Sequence, residues 1–389
     1  MRRVSACRSD GELMELKTDF ETFLREIRPT QSQRSDLQTG HRALRERLRD
    51  DEELKNVVVS DFLQGSYRRA TAVRPKGDKC SDVDIIVVTN LSETDYTPAE
   101  AMDQFVPFLD EYYKGKWKQQ GRSFGIELSY VELDLVITSA PSEAERAILR
   151  SAAVTSDDDL ETARDWRLNE SWVGLDVRHL QEAQIRLAKS QGEDEWKTAP
   201  LRIPDRDANV WQSTHPLEQI RWTRDKNART GRHFVNVVKA MKWWRLEKDE
   251  EPKHPKGFPL ERLVGECCPD AITSVAEGTT RTLEGIVSSY ALDVALGRKP
   301  VLPDYGVPSH DVFKRVSVQD FKAFYEQAKD AAKLARRAFD SSDRTESGNL
   351  WRELLGNKFP EPPDSGGEVK KVGYTTSVAA AVPGSGRFA

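Results

Sequence analysis

A chain of 389 residues, 38% hydrophobic and 32% charged, is long enough for two domains or one bilobal unit with a sizeable buried core, and reads as globular and polar. Its formal net charge of −5 argues against a whole-surface footprint for duplex nucleic acid, so no constitutive duplex binding is expected. No apolar run approaches the ~20 residues a membrane span needs. Met1 to Cys7 has basic residues without a following apolar core, which excludes a secretory signal, and Cys7, Cys80, Cys267 and Cys268 lack metal-ligand spacing. Reduced thiols in a cytoplasmic protein are expected.

In chain order, apolar residues at Leu13, Leu16, Phe20, Phe23 and Leu24 predict a helix from about Asp10 to Ile27. Ser32 or Ser35 would cap a second helix through Leu44 and Leu48. Asn56 to Ser60 reads as a short strand leading into Gly65-Ser66, where a small-residue turn starts a helical turn and leaves N–H groups for an anion. Ser81 to Val88 reads as the next strand. Pro98 to Tyr113 reads as a helix, Ser123 to Tyr130 as a strand, and Val131 to Ile137 as a strand after a tight turn. Residues 140–198 are polar and irregular, an insertion or lid.

From Pro216 the pattern turns helical. Phe234, Val237, Val238, Met241 and Trp244 share one face, with Lys239, Lys242 and Arg245 interleaved. Further helices are expected from Leu260, from Thr280 to Leu296, and from Ser317 to Phe339. Beyond Pro360 the composition favours disorder. The boundaries expected are a flexible 1–9, a catalytic lobe over 10–205 with its insertion, a helical lobe over 206–360 and a tail over 361–389.

Chemistry concentrates in one alternating stretch. Asp82 and Asp84 project from one face of their strand, while Val83 and Ile85 pack on the other. An isolated Asp-X-Asp is more often a solvated strand edge than a site. Asp134, between two leucines on a neighbouring strand, can converge with the pair. Two like charges held close together need a positive partner, and Mg2+ favours one or two carboxylates completed by water and phosphate. Three such carboxylates and a Gly-Ser turn suit nucleotidyl transfer, with two Mg2+ ions ~4 Å apart. Gly65 would let the backbone approach the β- and γ-phosphates while Ser66 donates to them.

Gly65-Ser66, Asp82-Val83-Asp84 and Leu133-Asp134-Leu135 resemble the motif set of the polymerase-β-like nucleotidyltransferases. Gln64 to Pro75 further resembles the bacterial CD-NTases, relatives of cyclic GMP–AMP synthase and oligoadenylate synthase, and Gly121 to Gly125 and the Arg387-Phe388-Ala389 ending look like clade D. The resemblance implies an α+β fold, a bilobal core with a mixed sheet and a helical C-terminal lobe. It implies a Mg2+-dependent cyclic oligonucleotide synthase of CBASS antiphage signalling, with Mn2+ able to substitute, using ATP and GTP. Cyclic AMP-AMP-GMP or cyclic tri-AMP is the product expected. Lys242, in a Lys-Trp-Trp element resembling the family's Lys-aromatic-Trp motif, is implied as a triphosphate contact beside Gln64, Gly65 and Ser66. An E1/E2-like partner conjugating the tail at Ala389 is implied too. One departure stands out: relatives often carry Ser-Tyr where this chain has Gly257-Phe258, so a serine contact to phosphate is missing.

Two other readings compete. A linear-product enzyme would tail a polymer, make oligoadenylate or AMPylate a protein; a polymer channel fits the acidic balance poorly. An inactive nucleotide-binding scaffold would be free to lose its carboxylates, and all three are present. Six scattered histidines do not support a histidine-based hydrolase.

Overall fold

The computed structural model describes residues 15–77, 79–140, 200–248 and 251–362. It is an α+β fold in which helices α1 (Lys17–Ile27) and α2 (Gln31–Asp50) precede a mixed sheet. Thr30, not Ser32 or Ser35, caps α2, closing a reciprocal capping box with Gln33. The strand expected at Asn56 to Ser60 is a short 3-10 turn followed by β1 (Val58–Gln64), and the chain turns through α3 (Gly65–Arg68) to β2 (Ser81–Thr89). The helix expected over Pro98 to Tyr113 breaks into α4 (Pro98–Asp103) and α5 (Val106–Tyr112). Pro107, near the start of α5, has no N–H to continue a single ladder.

Strands β3 (Trp117–Gln119), β4 (Phe124–Glu127) and β5 (Val131–Thr138) complete a five-stranded sheet of order β1-β2-β5-β4-β3. Within it β2 and β5 run parallel, while every other neighbouring pair is antiparallel. Alternation along β2 sorts the two faces. Val83, Ile85 and Val87 pack with the α2 leucines, Phe105 and Leu109 in one core. The even positions face the other way, where Ile86 and Val88 join Val136 and Leu201 in a small cluster. Asp82 and Asp84 begin that second face.

A hairpin, β6 (Leu201–Asp205) with β7 (Val210–Thr214), leads to the helices: α6 (Pro216–Arg229), α7 (Phe234–Glu247), α8 (Phe258–Cys267), α9 (Val275–Ala295), α10 (Val318–Asp340) and α11 (Arg344–Leu355). They enclose a separate core with Trp243, Trp244 and Trp351 at its centre. Helix α1 belongs to this core although it precedes the sheet in sequence. The Phe20 ring meets Trp351 edge-on at 4.9 Å and Phe359 at 5.1 Å, and Arg344 Nη2 donates to Asp19 Oδ2 at 2.7 Å.

Lys239 and Arg245 are buried with the apolar residues, so α7 is enclosed on nearly every side. Burial, with Arg28 and Lys242 nearby, drives the Lys239 ammonium well below its ordinary range. Cys80, Cys267 and Cys268 are free thiols; burial pushes the Cys267 thiol up to about 12, which makes it unreactive. Among the described residues no helix is long and apolar enough to cross a membrane.

Candidate active site

The parallel pairing sets the geometry. Asp84 on β2 registers with Asp134 on β5, and Asp82 with Glu132. Neighbouring strands lie about 4.8 Å apart, so the Asp84 and Asp134 side chains rise beside each other from one face. On the other flank Gln64 registers with Asp84. Asp82 is exposed, and Asp84 and Asp134 are half-buried.

Gly65 closes the site from above. Its φ of +74° lies in the left-handed region, and a Cβ there would fall inside the Asp84 carboxylate. Glycine is therefore required twice over, by the backbone and by the contact. Ser66 follows in α3, and its carbonyl accepts from the N–H groups of Thr71 at 2.9 Å and Ala72 at 3.2 Å, tying down the turn.

Crowding shows in the titration of the carboxylates. Burial, then the charges of Asp82 and Asp134, pushes the Asp84 carboxyl up to about 7 against the pull of the Arg69 guanidinium. Burial, then Asp82 and Glu132, pushes Asp134 up to about 6, while Gln120 Nε2 donates to its Oδ1 at 3.3 Å. As the side chains stand, no three acidic, histidine or cysteine groups among the described residues are gathered tightly enough to hold an ion. The donor set nonetheless fits Mg2+ chemically: hard oxygens, like charges pressed together, and desolvation that a cation would offset.

Across the cleft stand residues that sequence reasoning missed. Glu261 on α8 accepts from Lys242 Nζ at 2.6 Å and from Arg69 Nε at 3.0 Å. Burial alone would raise its carboxyl, but Arg69 and Lys242 hold it down at about 2. The trio joins the turn after β1 to helices α7 and α8. The Arg69 guanidinium also lies 5.0 Å from the centre of the Phe258 ring. Arg69 lay inside the Gln64–Pro75 stretch and Glu261 beside the Gly257-Phe258 departure. No local pattern marks a glutamate as the partner of a lysine 19 residues earlier.

These walls bound a cavity of about 470 Å3, a size suited to a small-molecule ligand. Gln64, Gly65, Ser66, Asp82, Asp84 and Lys242 line it, so six of the residues singled out in the sequence meet at one cleft. Asp134 adjoins them through the strand register. Ala389 lies outside the described residues.

A mixed sheet bearing paired carboxylates beside a Gly-Ser turn, backed by a helical core, defines a nucleotidyltransferase. Residues 14–139 match the model of the Second Messenger Oligonucleotide or Dinucleotide Synthetase domain. The whole chain is similar to the cyclic AMP-AMP-GMP synthase of Enterobacter hormaechei subsp. hoffmannii, 49% identical over 97% of this chain and 100% of the relative. It is more distantly similar to the cyclic AMP-AMP-AMP synthase of an Acinetobacter species, 28% identical over 90% of this chain and 86% of the relative. Its fold matches the CD-NTase CdnG of Bradyrhizobium diazoefficiens, solved in complex with GTP, with a TM-score of 0.62 at 12% identity, covering 89% and 96% of the two chains. The chain belongs to the CD-NTase family of second-messenger oligonucleotide synthetases.

Proposed function

We propose that the protein joins ATP and GTP into a cyclic trinucleotide, cyclic AMP-AMP-GMP, as a signal in CBASS antiphage defence. The observation that carries this reading is the registered Asp84–Asp134 pair under Gly65, on a chain 49% identical from end to end to a cyclic AMP-AMP-GMP synthase. Cyclic tri-AMP is the second product to test, given the more distant relative of that name.

In this reading Asp82, Asp84 and Asp134 hold two Mg2+ ions, or Mn2+ in their place. Bound there, the ions neutralise the donor triphosphate and lower the pKa of the attacking hydroxyl. The protein's own part is positioning. Gly65 lets the phosphates approach the backbone, Ser66 donates a hydroxyl, and Gln64 borders the acidic pair. Lys242 supplies the cation facing the phosphates, steadied by Glu261. Residues 10–205 would form the catalytic lobe and 206–360 the helical lobe. At the tail, an E1/E2-like partner would join the Ala389 carboxylate to a target amine, an adduct that mass spectrometry of the cell-expressed protein would reveal.

The test is mass spectrometry of phosphatase-resistant products from the four nucleoside triphosphates with Mg2+. A cyclic species with two adenylates and one guanylate is expected. Linear products with a free end would move the protein to the tailing or oligoadenylate class.

A further inference from the structure

The cleft is chemically uneven. Charged side chains line it, Arg245 and Lys256 as well as the carboxylates and the Arg69–Glu261–Lys242 trio, and so do apolar ones such as Val73 and Phe258. Two neutral amides also face it, Gln64 and Gln219. Gln64 is paired across the sheet with Asp84 and belongs to the carboxylate end. Gln219, on α6, is left to meet another part of the ligand.

The orientation of its amide is fixed from behind. Gln219 Nε2 donates to Asp304 Oδ2 at 3.0 Å. A carboxylate only accepts, so the amide nitrogen must be the atom turned towards Asp304. Asp304 is buried, and its other oxygen accepts from the backbone N–H groups of Gly306 at 2.7 Å and Val307 at 3.2 Å. That turns Gln219 Oε1 away from Asp304, on a residue that lines the cleft.

We propose that Gln219 reads the nucleobase as a fixed hydrogen-bond acceptor, selecting adenine through its N6 amino group, with Asp304 as the positioning residue. A base presenting a carbonyl oxygen at that position, as hypoxanthine and guanine do, faces two acceptors and loses affinity. The proposal rests on the cleft being the nucleotide site.

The test exploits an isosteric change. In Asp304→Asn, Oδ1 keeps the two backbone donors and the new Nδ2 donor faces Gln219. The Gln219 amide then flips and offers N–H to the cleft. Dissociation constants for the α,β-methylene analogues of ATP and ITP are measured with Mg2+ by calorimetry, which needs no turnover. The intact protein is expected to favour the adenine analogue by about tenfold, the scale of one hydrogen bond exchanged for a clash of acceptors. Asp304→Asn is expected to reverse that order, which a merely structural role would not do. Gln219→Leu, which leaves Asp304 and its loop in place, is expected to bring the ratio near one. An unchanged ratio in both variants overturns the proposal, as does an intact protein that binds a guanine analogue more tightly than either. Failure of every analogue to bind the intact protein would instead bring down the nucleotide reading of the cleft, and this proposal with it.

Discussion

Gly65 and Asp84 pack so closely that the space for a side chain on the one is filled by the carboxylate of the other. The Gly65→Ala variant must displace Asp84 and also hold alanine at a φ of +74°. We expect product formation to fall at least a hundredfold and stability to drop by about 1–3 kcal/mol. Initial rates with ATP and GTP, alongside thermal melts, check both parts.

Replacing a carboxylate should separate stability from activity. The Asp84 pKa rises from an unfolded value of about 3.9 to about 7 in the fold. Its stabilising contribution is thus complete below about pH 4 and lost as pH rises through 7. Asp84→Asn is expected to abolish product while raising the metal-free melting temperature by a few degrees at pH 8, with little gain at pH 4. Added Mg2+ should stabilise the original protein and leave the variant unmoved. A variant that melts lower than the original at pH 8 would contradict the crowding described for the site.

Glu261 works with the opposite sign. Its carboxyl is held at about 2, so its contribution is present above an unfolded pKa of about 4.3 and disappears as pH falls through 2. Glu261→Gln strands the buried Arg69 and the half-buried Lys242, at a cost of about 3 kcal/mol. The double variant Glu261→Gln with Lys242→Met should recover part of that loss yet stay inactive. A double-mutant cycle in urea measures the coupling.

Restoring the serine that relatives often carry should not restore a phosphate contact. Gly257 sits at φ 57° and ψ −135°, a combination open to glycine and strained for every other residue. The space around it is empty, so strain alone sets the cost. Gly257→Ser is expected to lose about 1–2 kcal/mol with no fall in KM for ATP, read from melts and steady-state kinetics.

The acidic strand was legible because period-two alternation states which way each residue points, and Asp82, Val83, Asp84 and Ile85 obey it. Gly65-Ser66 was legible because few other residues make that turn. Periodicity marked the apolar face of α7 but says nothing of how deeply the cations spaced along it are buried. Helix α10 encloses Arg245 through Gln327 and Phe324, and Arg28 lies near Lys239. The Glu261 bridge was invisible for a simpler reason, since it joins a turn and two helices that only the folded chain brings together. Helix α11, capped by Asp343, also went unread, although its cap and Trp351 were there to be found.

The contact between Asp19 and Arg344 joins residues 325 apart. A ribosome adding about 5–20 residues per second needs roughly 15–65 s to cover that distance. For that interval α1 lacks its packing against Trp351 and Phe359. The core that frames Lys242 and Glu261 closes only when the far end of the chain arrives.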